Sequence, residues 1–300
     1  MSSNIPSLSN NLVPDGNEVI NSIAISPDSK LLYLGNSPLN VVDAESLQLK
    51  GLGPRGNILA ISLDCTRAAS HDRKTGKLAI QNLKNESEEI AFDVGPIKGA
   101  EFSPNNRWVA TWQVHDNTNN LMRLWDTRTG KLIWMGPPRT FHVAFSPRHD
   151  QVAICVNGFA VRIVDLHGYR LIDSDPQPLN SRHIPYAVAY SPDGALLAVG
   201  FTSGNIVLWN VDPQTGQIAQ RCHLRGHTNV IRAIAFSPDN KQLASISNDH
   251  SLRIWEVALG QETMTFDINA KLLAFSPNGN RLAIVGADNK VQILKATALE

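Results

Sequence analysis

Histidine, serine and acidic residues are the groups of this 300-residue chain that could do chemistry. His227, Ser245 and Asp249 are the residue types of a nucleophilic triad, in which a carboxylate orients an imidazole base that activates a hydroxyl. A second set, suited to acid–base chemistry, consists of Glu101, His115, Asp116, His142 and His183. Its spacing is not a recognised metal-ligand motif, and the chain has no phosphate-binding loop, GxSxG or HExxH sequence. We therefore predict no cofactor and no metal.

An internal repeat indicates the elements that would position these residues. Each copy has an apolar run, a turn of the Ser-Pro-Asp type, and further short apolar runs separated by polar residues. Four strands in about 42 residues are typical of a propeller blade. The sequence therefore predicts an all-β fold, a single seven-bladed β-propeller of four-stranded antiparallel blades over residues 1–300. Each blade has one anchor serine, and these are Ser26, Ser62, Ser103, Ser146, Ser191, Ser237 and Ser276.

The two ends of the chain predict how the ring closes. The seventh repeat stops soon after its third strand, at residues 291–294, and so lacks a fourth strand. A segment around residues 8–13 precedes the first repeat. Because a closed ring leaves no unpaired sheet edge between blades, we expect this N-terminal strand to complete blade seven.

Two dipeptides, Gly226-His227 and Trp125-Asp126, resemble the name-giving residues of the WD40 repeat family, and the resemblance covers roughly residues 17–295. It implies that one blade contains a structural hydrogen-bonded tetrad of His227, Ser245, Asp249 and Trp255. The triad would then be part of a blade rather than a catalytic site. Other blades replace the tryptophan with Val42, Gln81, Val164 or Leu294.

The resemblance also implies that partners bind the top face, at the start of each first strand and just before the turn aspartate. The matching candidates are Glu18, Ile20, Ile97, Thr140, His183, Pro185, Asn229, Ile231, Asn248 and Ile268. Two strand-start positions in each of the seven repeats give fourteen positions. They include one acid and no lysine or arginine, so we expect a weakly charged, partly apolar face. Such a face suits a protein, a peptide or a small apolar ligand rather than an acidic tail or RNA.

Composition narrows the class of function. Lys+Arg and Asp+Glu are both 27, a balance that argues against nucleic-acid or membrane-surface binding. Three well-separated cysteines indicate a reduced, cytoplasmic protein. We therefore expect a non-catalytic protein-interaction scaffold. The alternative is a propeller enzyme or small-molecule binder at the mouth of the central channel, where Glu101 stands in a column that is alanine in the other six repeats.

Overall fold

The computed structural model describes residues 9–12, 19–85, 87–113, 121–156, 161–174 and 184–295. All regular structure within these ranges is β-strand, arranged as seven four-stranded antiparallel sheets. The seven-bladed propeller predicted from the repeat is therefore confirmed. No helix in the described part of the chain has the length and apolar character that crossing a membrane requires.

The strands follow the repeat, and each sheet is one blade. Blades one to three are built from β2 (Ile23–Ile25), β3 (Leu31–Leu34), β4 (Asn40–Asp43), β5 (Leu49–Leu52), β6 (Asn57–Ile61), β7 (Arg67–Asp72), β8 (Lys77–Asn82), β9 (Glu88–Asp93), β10 (Gly99–Phe102), β11 (Trp108–Trp112), β12 (Leu121–Asp126) and β13 (Leu132–Pro138). Blades four and five are built from β14 (Thr140–Phe145), β15 (Gln151–Val156), β16 (Arg162–Asp165), β17 (Arg170–Ser174), β18 (Pro185–Tyr190), β19 (Leu196–Phe201), β20 (Ile206–Val211) and β21 (Ile218–Leu224). Blades six and seven are built from β22 (Ile231–Phe236), β23 (Gln242–Ser247), β24 (Ser251–Glu256), β25 (Gln261–Asp267), β26 (Ala270–Phe275), β27 (Arg281–Gly286), β28 (Val291–Lys295) and β1 (Ser9–Leu12).

A buried serine fixes the turn between the first two strands of six blades. In blade six, the Ser237 hydroxyl donates to Asp239 at 2.6 Å and accepts from the backbone N–H of Gln242 at 2.9 Å. The residue three after the serine, Asn240, has a φ of 62°, in the left-handed region that Asn tolerates better than most residues. The same pair of bonds recurs at Ser26, Ser62, Ser103, Ser191 and Ser276.

The first strands of the blades surround a central channel. Each of β2, β6, β10, β14, β18, β22 and β26 contacts the next, and β26 contacts β2. The fourth strand of each blade connects to the first strand of the next on one side of the ring, which we call the top face. The serine turns lie on the opposite, bottom face.

Apolar side chains fill the spaces between neighbouring blades. Trp255 of blade six packs in one buried cluster with Leu196 and Leu208 of blade five. The cluster between blades one and two is much smaller, with Leu39, Ile58 and Ala68 as its buried members. Packing between blades is therefore uneven around the ring.

Strand β1 closes the ring by pairing with β28, with Ser9 opposite Ile293 and Leu12 opposite Val291. The prediction that an N-terminal strand completes blade seven is confirmed.

We expect deletion of residues 1–15 to lower the melting temperature, because it removes β1 and leaves the edge of β28 unpaired. Thermal unfolding followed by circular dichroism measures the change. Deletion of residues 1–7 is the control, since it keeps β1. Equal melting temperatures for the full chain and the 1–15 deletion would contradict a stabilising role for this strand.

Candidate functional site

The histidine, serine, aspartate and tryptophan of blade six form one hydrogen-bonded chain. The Trp255 indole N–H donates to the Ser245 hydroxyl at 2.8 Å, and that hydroxyl lies 2.8 Å from His227 Nε2. His227 Nδ1 is 2.9 Å from Asp249 Oδ2, which also accepts from the backbone N–H of Thr228. The tetrad thus ties the loop that enters blade six to its second and third strands.

Burial and hydrogen bonding together set the charge states of this tetrad. Burial lowers the pKa of His227 despite the neighbouring carboxylate, so the ring is neutral at pH 7. Burial works to raise the pKa of Asp249, but hydrogen bonds from Ser251, Thr228 and His227 outweigh it and hold that pKa below its usual range. Ser245 is wholly buried. A substrate cannot reach its hydroxyl, so these residues stabilise the blade rather than form a triad.

We expect Ser245→Ala to lower the free energy of unfolding by about 1–3 kcal/mol, because it leaves two buried polar groups without a partner. Urea unfolding measures the change. Ser87→Ala, at an exposed turn, is the control and should have little effect. Equal loss of stability in the two variants would contradict a special role for the tetrad.

The structure places the candidate partner-binding residues in different environments. Ile20, Thr140, Pro185 and Ile231 are buried, so their side chains belong to the core and not to an exposed surface. The remaining described candidates are accessible: Asn229 is exposed, and Ile97, Asn248 and Ile268 are partly buried. Glu18 and His183 lie outside the described residues.

Bulges at the start of four consecutive first strands explain three of the buried positions, Thr140, Pro185 and Ile231. In blade six, Ile231 pairs with Ser247 and Ala233 with Ile246, so Arg232 is an extra residue between them. Such a residue leaves the ladder, and its side chain is redirected. The corresponding bulge residues in blades four, five and seven are Phe141, Tyr186 and Lys271. We call these four residues the channel-mouth row, because they lie at the top of the strands that surround the channel.

Three members of the channel-mouth row contact their neighbours directly. The rings of Phe141 and Tyr186 stack with centroids 6.1 Å apart. Arg232 lies over the Tyr186 ring at 5.3 Å, and its Nη1 donates to the Tyr186 hydroxyl at 2.9 Å. The Nε atom of Arg232 donates to Asn248 Oδ1 at 2.6 Å. An aromatic and guanidinium surface therefore crosses blades four, five and six.

Lys271 extends the row into blade seven. Its ammonium group donates to the side chain of Asn289, which also accepts from the backbone N–H of Ile20 at 3.2 Å. Burial lowers the pKa of Lys271. The cation is thus held against the loop that leads into blade one.

Glu101 and His142 occupy first strands at the channel. Oε1 of Glu101 accepts from the backbone N–H of Phe145 in the next blade at 3.4 Å. Enclosure by the blades raises the pKa of Glu101 to about 8, so the carboxyl group is mostly protonated at pH 7. His142 packs edge-on against Trp112, with ring centroids 5.3 Å apart, and burial lowers its pKa to about 4.

Only two members of the proposed acid–base set, Glu101 and His142, lie in the described part of the chain. No hydrogen bond or ion pair joins Glu101 to His142, and both groups are uncharged at neutral pH. His115, Asp116 and His183 lie outside the described residues. Among the residues that are described, no group of three His, Cys, Asp or Glu side chains could hold a metal ion. A catalytic role for these residues stays a prediction.

Glu101 generates a prediction about pH. Its pKa is about 8 in the folded chain against an ordinary value of 4.5, so its contribution to stability is complete below pH 4.5 and is lost as the pH rises through 8. A glutamine at this position does not titrate. We therefore expect the Glu101→Gln variant to lose less of its melting temperature between pH 5 and pH 8 than the unsubstituted chain does. The exposed Glu45→Gln variant is the control. A parallel pH profile in the Glu101→Gln variant would refute the shift.

The seven-sheet ring and the blade-six tetrad define the class as a β-propeller of the WD-repeat type. The family model described as WD domain, G-beta repeat matches residues 177–210 and 219–256, which lie in blades five and six. Blades five and six therefore contain WD40 repeats, which confirms the resemblance to the WD40 repeat family predicted from the sequence.

Named relatives share part of the chain. It is 30% identical over 159 residues to WD repeat-containing protein SL1-17 of Schistosoma mansoni, a match that covers 50% of this chain and 48% of that protein. It is 25% identical over 215 residues to the target of rapamycin complex subunit LST8 of Bos taurus, covering 67% of this chain and 63% of that protein. The matches thus span about half to two thirds of these relatives' lengths.

A solved structure shares the whole fold. The β-propeller domain of Cps50 (Swd1) from Myceliophteria thermophila superposes with a TM-score of 0.78, covering 96% of this chain and 98% of that domain. The two sequences are 17% identical, so this likeness concerns the fold alone.

Proposed function

We propose that this protein is a non-catalytic interaction scaffold that binds a protein or peptide across the channel-mouth row of its top face. The observation that carries the proposal is the contact from Phe141 through Tyr186 and Arg232 to Asn248. Tyrosine and arginine are enriched among the residues that dominate binding energy at protein interfaces.

The row is organised before any partner binds. The bulges fix the backbone, and the guanidinium group of Arg232 is held by two hydrogen bonds and by the face of the Tyr186 ring. Binding therefore costs little side-chain entropy at these positions. The name of the relative LST8 describes it as a subunit of a protein complex, which supports a protein partner for this chain.

The test compares two surface variants in partner capture. Wild-type protein is first used to capture a binding protein from a lysate of its source organism. The captured protein is then purified, and its binding is measured by calorimetry. We expect the double variant Tyr186→Ala/Arg232→Glu to bind it about tenfold or more weakly, because both anchors of the row are removed. Lys241→Glu, an exposed charge change on the bottom face, is the matched control and should bind normally.

Circular dichroism must show the same fold for both variants. A partner that is lost on Lys241→Glu and kept by the double variant would place the interface on the bottom face. Capture of a small molecule alone, with retention that falls on Glu101→Gln, would favour the small-molecule alternative.

A further inference from the structure

A cleft of about 1000 Å³ opens between blades one and two. Small and polar residues create it, because blade two has Ala79 and Gln81 where blade six has Arg253 and Trp255. Ala91 of the fourth strand lies opposite Ala79 and also lines the cleft. The space that tryptophan fills in blades three and six therefore stays open here.

Four cations line the cleft. Arg55 lies in the loop that enters blade two. Arg73 and Lys74 lie in the turn between its second and third strands, and Lys77 begins the third strand. All four are exposed, and none forms an ion pair with a carboxylate of the described chain.

The one acidic residue among the lining groups is engaged within its own turn. The Asp72 carboxylate accepts from the backbone N–H of Lys74 at 2.8 Å and from the Thr75 hydroxyl at 2.7 Å. With four cations against this one carboxylate, the rim of the cleft has a net positive charge. The expectation of a weakly charged top face does not hold in this sector, because it considered strand starts and not the β7–β8 turn.

Three buried polar groups of the cleft have no hydrogen-bond partner in the described chain. They are Nδ1 of His71, Nδ2 of Asn57 and Oε1 of Gln81. His71 is 3% exposed, and its Nε2 lies 2.9 Å from the carbonyl oxygen of Gly95. A carbonyl can only accept, so Nε2 has the hydrogen and Nδ1 of the neutral ring is an acceptor. The walls of the cleft thus contain two unpartnered acceptors and one unpartnered amide donor group.

We propose that this cleft binds an acid-rich, extended peptide segment of a partner protein. A peptide backbone supplies both N–H and C=O groups, which matches the mixed donors and acceptors of the cleft, and acidic side chains match its cationic rim. Bare phosphate would match the rim, but it would leave the acceptors without donors. The cleft is a second surface, separate from the channel-mouth row, and does not depend on the function proposed there.

Fluorescence anisotropy tests the cleft with three labelled probes: a decapeptide of alternating Glu and Ser, the same peptide with Gln for Glu, and an oligouridylate of equal charge. We expect the Glu peptide to bind in preference to the other two, and more weakly as salt increases. The rim variant Arg73→Glu/Lys74→Glu should weaken binding about tenfold or more. The control Lys84→Glu/Lys131→Glu makes the same charge change at exposed bottom turns and should leave binding intact.

A filling variant separates the cleft from general charge attraction. Gln81→Trp keeps every cation and supplies the side chain that Trp125 and Trp255 provide in their blades. Ser70 stands where Thr111 and Ser245 accept the indole N–H of those two tryptophans. We expect this variant to remain folded and to lose the Glu peptide.

Several results would overturn the proposal. One is that the Glu peptide does not bind at about millimolar protein, a range in which weak specific binding is still measurable. Another is that the Gln peptide binds equally well. A third is that the rim variant or a folded Gln81→Trp variant binds the Glu peptide as tightly as the unsubstituted chain does. Preference for oligouridylate with the same sensitivity to both variants would assign the cleft to RNA instead. None of these results bears on partner capture by the channel-mouth row, so failure of one proposal is distinguishable from failure of the other.

Discussion

The pairing of β1 with β28 holds the first and last described strands of the chain in one sheet, and the other blades depend on the ring that it closes. Because the first strands contact one another in a complete circle, each blade is held by two neighbours. A weakly packed pair can then persist within a stable ring. Blades one and two are such a pair, with a small apolar cluster and an open cleft between them.

The tetrad and the channel-mouth row show how access decides what a set of residues can do. His227, Ser245 and Asp249 have the contacts of a catalytic triad, yet Ser245 is wholly buried and its hydroxyl is shared with an indole N–H. Tyr186 and Arg232 have no reactive chemistry, yet they occupy an accessible edge of the channel. Residue types alone would select the tetrad as the functional site, whereas accessibility selects the channel-mouth row.

Most of the fold could be predicted from the sequence, because the repeat, its turns and its missing last strand are local patterns. The tetrad was also predictable, because the resemblance to the WD40 repeat family implies its four members. The position of the interaction surface was not. Counting back along a strand assumes strict alternation, and a bulge shifts that alternation by one residue, so Ile231 is buried and Arg232 lies at the mouth. The cleft was missed for a different reason, because it results from what Ala79 and Gln81 fail to fill.

The serine turn of the bottom face has a consequence for how this protein can change. The acceptor two residues after the serine is Asp28, Asp64 or Asp239 in some blades and Asn105 or Asn278 in others, at 2.6–2.7 Å from the hydroxyl in each case. A carboxylate oxygen and an amide oxygen both accept this hydrogen bond, so the turn has the same geometry with either residue. The charge of the bottom face can therefore change without a change in the structure of its turns. Replacement of aspartate by asparagine, one blade at a time, could remove negative charge from the bottom face while every turn kept its geometry.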